Sequence, residues 1–295
     1  MALFQANSVR DQLLIADPSL DVEIIPTDTM GDLRHDLPIS FLGGQGVFVK
    51  EVQQLVLEGR ADFAVHSAKD LPSSATPGLT LAAITTRGDV RDCLVGRTLA
   101  GLGPGATVAC GAPRRRAVLA NLRPDLNLVE LRGNIATRVA KSKERGIDAV
   151  VVALTALERL GLEGEVAEIF DPLVMIPQVG QGAFGVECRS DDELTVRILR
   201  GVNDRDTELS VTAERGFLAE LGAGCSVPVG AWAVTQGEEI SLRAMLASPD
   251  GQAILRTTAS GTAAEELGRK VAAQLRDDLG GAGIMASWQR QATPG

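Results

Sequence analysis

The sequence predicts an α/β protein of three domains, the last a smaller α+β unit. Three observations carry this. The chain has 295 residues, too many for one small module. Short apolar strand patterns alternate with amphipathic helical ones through the first two-thirds. From about Asp206 that alternation gives way to a helix, a glycine-rich loop, alternating strands and a closing helix.

Helical periodicity in LFQANSVRDQLLIA opens the chain, and LDVEIIP reads as a strand. FLGGQGVFVKEVQQLVLEG reads as a loop feeding an amphipathic helix, and ADFAVHSAKDLP as a short apolar strand ending in a polar loop. Strand, loop, helix and strand at this spacing predict parallel α/β units. From Asp89 to about Pro177 the grammar repeats. ATVACG is a strand, PRRRAVLANL a helix with proline in its first turn, LNLVELR a strand, NIATRVAKSKERG a helix and DAVVVAL a fully apolar strand. QVGQGAFGVEC gives a glycine-rich crossing and another strand. Beyond Asp206 come a helix, the GAGCSVP loop, the strands ISLRAMLAS and AILRTTAS, and an amphipathic helix from Ala263 to about Leu279.

Apolar residues make up 45% and charged residues 23%, the balance of a soluble globular protein. No apolar run is long enough to span a membrane, and no basic segment with an apolar h-region opens the chain, so the cytoplasm is the default location. A net charge of −9 argues against general nucleic-acid binding, and any anionic ligand needs a local basic cluster. Cys93, Cys110, Cys188 and Cys225 are scattered, with no CxxC pair and none close to His35 or His66, so no metal site is expected. A disulfide is disfavoured in a reducing compartment, which leaves packing or reactivity for Cys225; packing is the commoner fate of a lone cysteine.

Two constellations point to chemistry. His66, Ser67, Lys69 and Asp70 fall just past a strand end, where open α/β sheets hold ligands. Asp70 there suits acid/base work or the stabilisation of developing positive charge; the alternative is a solvated turn with a helix-cap aspartate. Arg114, Arg115 and Arg116 open one helix, and Arg132 and Arg138 flank the start of another. Arginine at a helix N-terminus opposes the dipole, so a local anion such as a ligand carboxylate accounts for the arrangement. For Arg116 a solvated basic face is the alternative. Gln181, within QVGQGAFG, is a weaker candidate for a polar contact.

Taken in order, ADFAVHSAKDLP, LRGNIATR, VGQGAFGVEC and TAERGFLAELGAGCSVPVG closely resemble the porphobilinogen deaminase family, also called hydroxymethylbilane synthases. The likeness runs from about Leu3 to the C-terminal helix. It implies two domains similar to type II periplasmic binding proteins with a cleft between them, and a third carrying an attachment cysteine. With the element pattern, it divides the chain into domain 1 (1–87 plus 178–202), domain 2 (88–177) and domain 3 (203–295). Cys225 resembles the cysteine joined by a thioether to a dipyrromethane cofactor built from two porphobilinogen units. Four more would be added head to tail with loss of ammonia, and water would release hydroxymethylbilane. The implied protein is a cytoplasmic monomer that needs no metal, nucleotide, nucleic acid or membrane.

By the same resemblance, Asp70 matches the catalytic aspartate that stabilises the cationic azafulvene and pyrrolenine species. Lys69, His66 and Ser67 match neighbouring cofactor or substrate contacts. Arg114, Arg115, Arg132 and Arg138, with Gly133 beside them, match the site for acetate and propionate groups. Arg159 matches a further arginine, and Gln181 and Gln5 match polar residues of the cleft.

The departures are also specific. Family members begin with a strand and an IGTRxS-type loop ahead of the segment matching ALFQA, whereas this sequence starts at Met1 inside that region. The expectation is a start assigned too late, with a truncated or divergent homologue as the alternative. Gln45 and Phe41 stand where basic residues are common, and Cys110, Gly111 and Ala112 replace a Thr-Ser-Ser that offers hydroxyls to cofactor carboxylates. Two other functions compete with the enzyme. An inactive homologue would suit these losses, whereas a module that captures an anionic solute would explain the arginines but give Cys225 and Asp70 no task.

Overall fold

The computed structural model describes residues 1–27, 49–224 and 227–292, so Phe41, Gln45 and Cys225 lie outside the described residues. The first part of the chain supplies helix α1 (Ala2–Ala16), helix α2 (Lys50–Leu57), strand β1 (Phe63–Ser67) and strand β2 (Leu79–Ile84). The middle supplies β3 (Asp92–Gly96), β4 (Thr107–Ala109), α3 (Pro113–Leu122), β5 (Asn127–Val129), α4 (Ile135–Lys141), β6 (Ala149–Ala153), α5 (Leu154–Glu158) and β7 (Val166–Ile169). Then come β8 (Phe184–Arg189), α6 (Glu193–Arg200), α7 (Arg205–Glu220), β9 (Val229–Gln236), β10 (Glu239–Ala247), β11 (Ile254–Gly261), α8 (Ala264–Ala273) and α9 (Gly281–Ala292).

Three sheets organise these elements. The first has the order β1-β8-β2, with β8 antiparallel to both neighbours. Val9 and Leu13 of α1 and Leu199 of α6 pack on one of its faces, against Phe184, Val186 and Cys188. Val56 of α2 packs with Ala64 and Leu79 in a separate cluster. The parallel pairing expected for this block is therefore absent among the described residues. The partner of β1 and β2 arrives more than a hundred residues later in the chain, and no local spacing announces its direction. Residues 20–27, LDVEIIP and its flanks, form no strand either; an apolar alternation becomes one only where a partner meets its backbone groups.

The second sheet, β5-β4-β6-β3-β7, is mixed: β4 runs parallel to β5 and β6, and β3 antiparallel to β6 and β7. Its central strand β6, Ala-Val-Val-Val-Ala, is buried along its whole length because helices cover both faces. The third sheet, β11-β10-β9, is an antiparallel meander with α7 and α8 packed on one face. The closing helix runs from Ala264, one residue inside the predicted start, and changes to a π-helical turn at Gln274–Asp278. A further helix, α9, follows it, and its Trp288 indole donates to the Ala247 carbonyl at 3.0 Å.

Two segments cross between the first and second sheets, one leaving β2 and one returning to β8. They lie side by side, the Gly88 amide donating to the Gly182 carbonyl at 3.1 Å. Gly182 has φ +93°, and a Cβ there would stand 2.6 Å from the Gly88 carbonyl oxygen, so glycine is required on steric grounds. The third unit grips this crossing. Glu214 of α7, fully buried, accepts from Arg87 Nη1 at 2.6 Å and Nη2 at 3.1 Å, from the Gly180 amide at 2.7 Å and from the Ala233 amide at 2.8 Å.

Candidate functional site

The strand β1 ends in a single 3-10 turn, Ala68–Asp70. Its rear is fixed: the Ala68 amide donates to the Ala183 carbonyl at 3.0 Å, and Ala68 packs with Ile84, Ala183 and Val211. Gly180 of the return crossing lies against the turn, close enough that a Cβ would stand 2.9 Å from Ala68 C and Lys69 N. Asp70 is consequently held at the lip of the first sheet, solvent-accessible but flanked by protein. That enclosure pushes its carboxyl above the usual range, while the charges of Lys69, His66 and Arg138 work in the opposite direction. Lys69 is moved down by the same enclosure. Asp70 opposes that shift and Arg115 adds to it, with smaller effects from Asp92 and Arg138. Charges from β3, α3 and α4 of the second sheet thus reach a turn on the first, and the space between them is the cleft.

The two arginines that open α3 are buried, Arg114 at 1% and Arg115 at 5% exposure. Arg114 Nη2 donates to Asp92 Oδ2 at 2.7 Å and Nη1 to the Ile176 carbonyl at 2.8 Å. Arg115 Nη2 donates to Asp92 Oδ1 at 2.8 Å, and Gln181 Nε2 to the same oxygen at 2.9 Å. The anion that these helix-start arginines face is therefore the chain's own Asp92. Burial alone would raise the Asp92 pKa; the Arg114 and Arg115 charges and the Arg115 and Gln181 hydrogen bonds outweigh it and hold the carboxyl well below its ordinary range. Among the described residues, Arg114 Nε, Arg115 Nε and Gln181 Oε1 have no hydrogen-bond partner.

The remaining predicted residues separate by location. Gln5, on the buried face of α1, donates to Ser67 Oγ at 2.7 Å. His66 points to the opposite face of β1, where its Nε2 lies 3.2 Å from Glu187 Oε2. Arg132 pairs with Glu130, and Arg138 Nε donates to the carbonyl of Gly133 at 2.7 Å, with Gly133 at φ +103°. Arg159 belongs to the crossing, donating to the Gly182 carbonyl at 2.6 Å with its guanidinium 4.0 Å from the centre of the Phe184 ring. Burial lowers its pKa to about 10. Arg116 is half-buried and its charge acts on the Cys110 thiol, which burial nonetheless pushes up to about 11. Asp92 and Glu214 were not anticipated. A signal existed for Glu214: it falls at i+4 from Ser210, i+3 from Val211 and i−3 from Phe217, on the buried stripe of α7.

Fold and site together define a two-lobed α/β protein, braced by a third unit, whose cleft sets a carboxylate opposite arginine side chains. Such equipment suits an enzyme that holds an acidic substrate while positive charge develops on it. Residues 1–197 match the family described as porphobilinogen deaminase, dipyromethane cofactor binding domain, and residues 208–277 match the porphobilinogen deaminase C-terminal domain. A porphobilinogen deaminase of Roseiflexus sp. is 46% identical over 292 residues, covering 97% of this chain and 95% of that protein. One of Roseiflexus castenholzii is 44% identical over 291 residues, with the same coverage of each, 97% and 95%. Among solved structures, the periplasmic VFT2 domain of Bordetella pertussis BvgS aligns at 20% identity and a TM-score of 0.37, over 67% of this chain and 75% of that one. The chain belongs to the porphobilinogen deaminase family. The function that goes with it is hydroxymethylbilane synthesis, a transferase reaction of tetrapyrrole biosynthesis that depends on a dipyrromethane cofactor.

Proposed function

We propose that this chain itself condenses four porphobilinogens head to tail, with Asp70 as the catalytic carboxylate and Cys225 as the attachment point of the dipyrromethane. The observation that carries the reading is the placement of Asp70 on a fixed turn, within reach of the Lys69 and Arg138 charges. In each condensation the aminomethyl C–N bond breaks and ammonia leaves, a C–C bond forms to the terminal pyrrole carbon, and that carbon loses its proton. The carbon left behind by ammonia is cationic, and Asp70, as carboxylate, lowers the energy of that charge. Lys69 and Arg138 favour the ionised form of the carboxylate against the upward push of its surroundings, and give acetate and propionate groups a cationic partner.

The residues fit a carboxylate-rich cofactor. Arg132 and Arg138 stand at the start of α4, and the Arg138 charge reaches Asp70. The dipyrromethane supplies the terminal pyrrole carbon that receives the first unit. His66, Ser67, Arg114, Gly133, Arg159, Gln181 and Gln5 then hold the cleft walls, and the three domains are 1–87 plus 178–202, 88–177 and 203–295. Among the described residues no helix is long and apolar enough to cross a membrane. A cytoplasmic monomer acting on free porphobilinogen is the proposed setting.

The test is the intact mass after expression in a porphobilinogen-producing host. It should exceed the sequence mass by two pyrrole units, and Cys225→Ser should remove the increment. An unmodified mass would sink the reading.

A further inference from the structure

Glu187 has no task in the mechanism above, although it is charged and lies inside the first sheet. It sits on β8, the middle strand, opposite Ala64 of β1 and Leu81 of β2, as the one charged residue in the buried run Phe184–Cys188. An ionised side chain in such a position is costly unless it is partnered. Its partners lie on both sides of the catalytic turn.

On the upstream flank, His66 Nε2 lies 3.2 Å from Glu187 Oε2, with both side chains nearly inaccessible. This close contact lacks the alignment of a hydrogen bond. On the downstream flank, Gln53 Nε2 of α2 donates to Glu187 Oε2 at 2.7 Å, and Gln53 Oε1 accepts from Thr76 Oγ1 at 3.2 Å. Arg215 of α7 completes the set. Its Nη2 lies 3.5 Å from the Ser73 carbonyl, and its charge acts on Glu187. His66 precedes the Ala68–Asp70 turn, and Ser73 and Thr76 follow it. Burial works to raise the Glu187 pKa, but the His66 and Gln53 contacts prevail and hold the carboxyl below its usual range.

We propose that Glu187 is a positioning residue for Asp70: through His66 on one side and through Gln53 and Thr76 on the other, it fixes both ends of the segment that carries the catalytic carboxylate. The inference rests on the role proposed for Asp70. Purely apolar packing at residue 187 would fill the same space but would leave the loop between Leu71 and Pro77 without its tie to the sheet. A positioned carboxylate matters because displacing a charge by a fraction of an ångström weakens its stabilisation of a transition state more than it weakens substrate binding.

The experiment compares the parent with Glu187→Gln and with Thr76→Val, a milder change in a half-buried loop. Amide hydrogen exchange is followed by mass spectrometry on the whole protein, together with kcat and KM for porphobilinogen. In Glu187→Gln, exchange in peptides spanning residues 68–76 should accelerate roughly tenfold while the second and third sheets stay unchanged. In Thr76→Val the acceleration should be confined to residues 71–76. In both, kcat should fall, by about tenfold for Glu187→Gln, with KM within about twofold and the cofactor mass intact. Unchanged exchange in residues 68–76 of both variants would overturn the proposal, as would an acceleration spread evenly over the chain in Glu187→Gln with Thr76→Val silent. A parent without turnover would count against the proposed function, and the exchange data would still decide the role of Glu187.

Discussion

Asp92→Asn tests how the arginine face is held. Asp92 is fully buried and accepts three hydrogen bonds, from Arg114 at 2.7 Å, Arg115 at 2.8 Å and Gln181 at 2.9 Å. Asparagine keeps the shape but removes the negative charge and turns a donor toward donors. Two guanidiniums then share a buried site with no counter-charge. Removing one partner of a buried ion pair costs about 3–5 kcal/mol, because the charge left behind has lost both water and its partner. For a cooperative unit of this size each kcal/mol lowers the melting temperature by about 2–4 °C, so the shift should be roughly 6–20 °C. Thermal unfolding at neutral pH reads it directly. The pH dependence supplies a second check. The native pKa is depressed, so the stabilisation is fully present above the unfolded aspartate pKa and is lost as pH falls through the native value. The difference between parent and variant should therefore shrink in strong acid. A neutral-pH shift under about 2 °C would refute the reasoning, since the arginines would have to be satisfied elsewhere.

Two further outcomes follow from the catalytic turn. Asp70→Asn should abolish turnover while leaving the attached mass intact. It should leave the melting temperature at neutral pH equal or slightly raised, because a carboxyl with an elevated native pKa opposes folding once ionised. For the same reason the acid limb of kcat/KM in the parent should lie above the ordinary aspartate range, and a limb within that range would remove Asp70 as its source. Gly180→Ala should destabilise the protein and cut kcat together, since its φ is +70° and the added methyl meets Ala68 and Lys69 backbone at 2.9 Å. Activity and stability equal to the parent would show that the turn does not depend on this close approach.

What the sequence made legible was local. Pro113 marks the first turn of α3, Asn134 caps α4 by accepting from the Thr137 amide, and the apolar run at 149–153 is a central strand. The cleft turn was legible too, because VHSAKD places polar residues at the end of an apolar strand. What escaped was tertiary. Arg114 and Arg115 look like an open anion site until Asp92, more than twenty residues earlier, is folded beneath them. The antiparallel first sheet escaped because its central strand comes from residues 184–189, and LDVEIIP shows that periodicity without a partner makes no ladder.

Three buried acids divide the positive charge of this acidic chain between architecture and chemistry. Glu214 takes Arg87 and so binds the lobe crossing to α7; Asp92 takes Arg114 and Arg115 and so anchors α3 and Gln181; Glu187 holds His66 beneath the aspartate turn. The arginines engaged by Asp92 and Glu214 are poor candidates for direct, exchangeable grip on successive pyrroles, because releasing them would strand a carboxylate in the interior. Arg138 and Lys69 differ, since their charges bear on Asp70, Arg138 from α4 across the cleft and Lys69 from the same turn. An acidic chain that grows by one unit per turn needs rigid walls and a few cations that can exchange partners. The buried acids provide the first, which leaves Arg138 and Lys69 the better placed for the second.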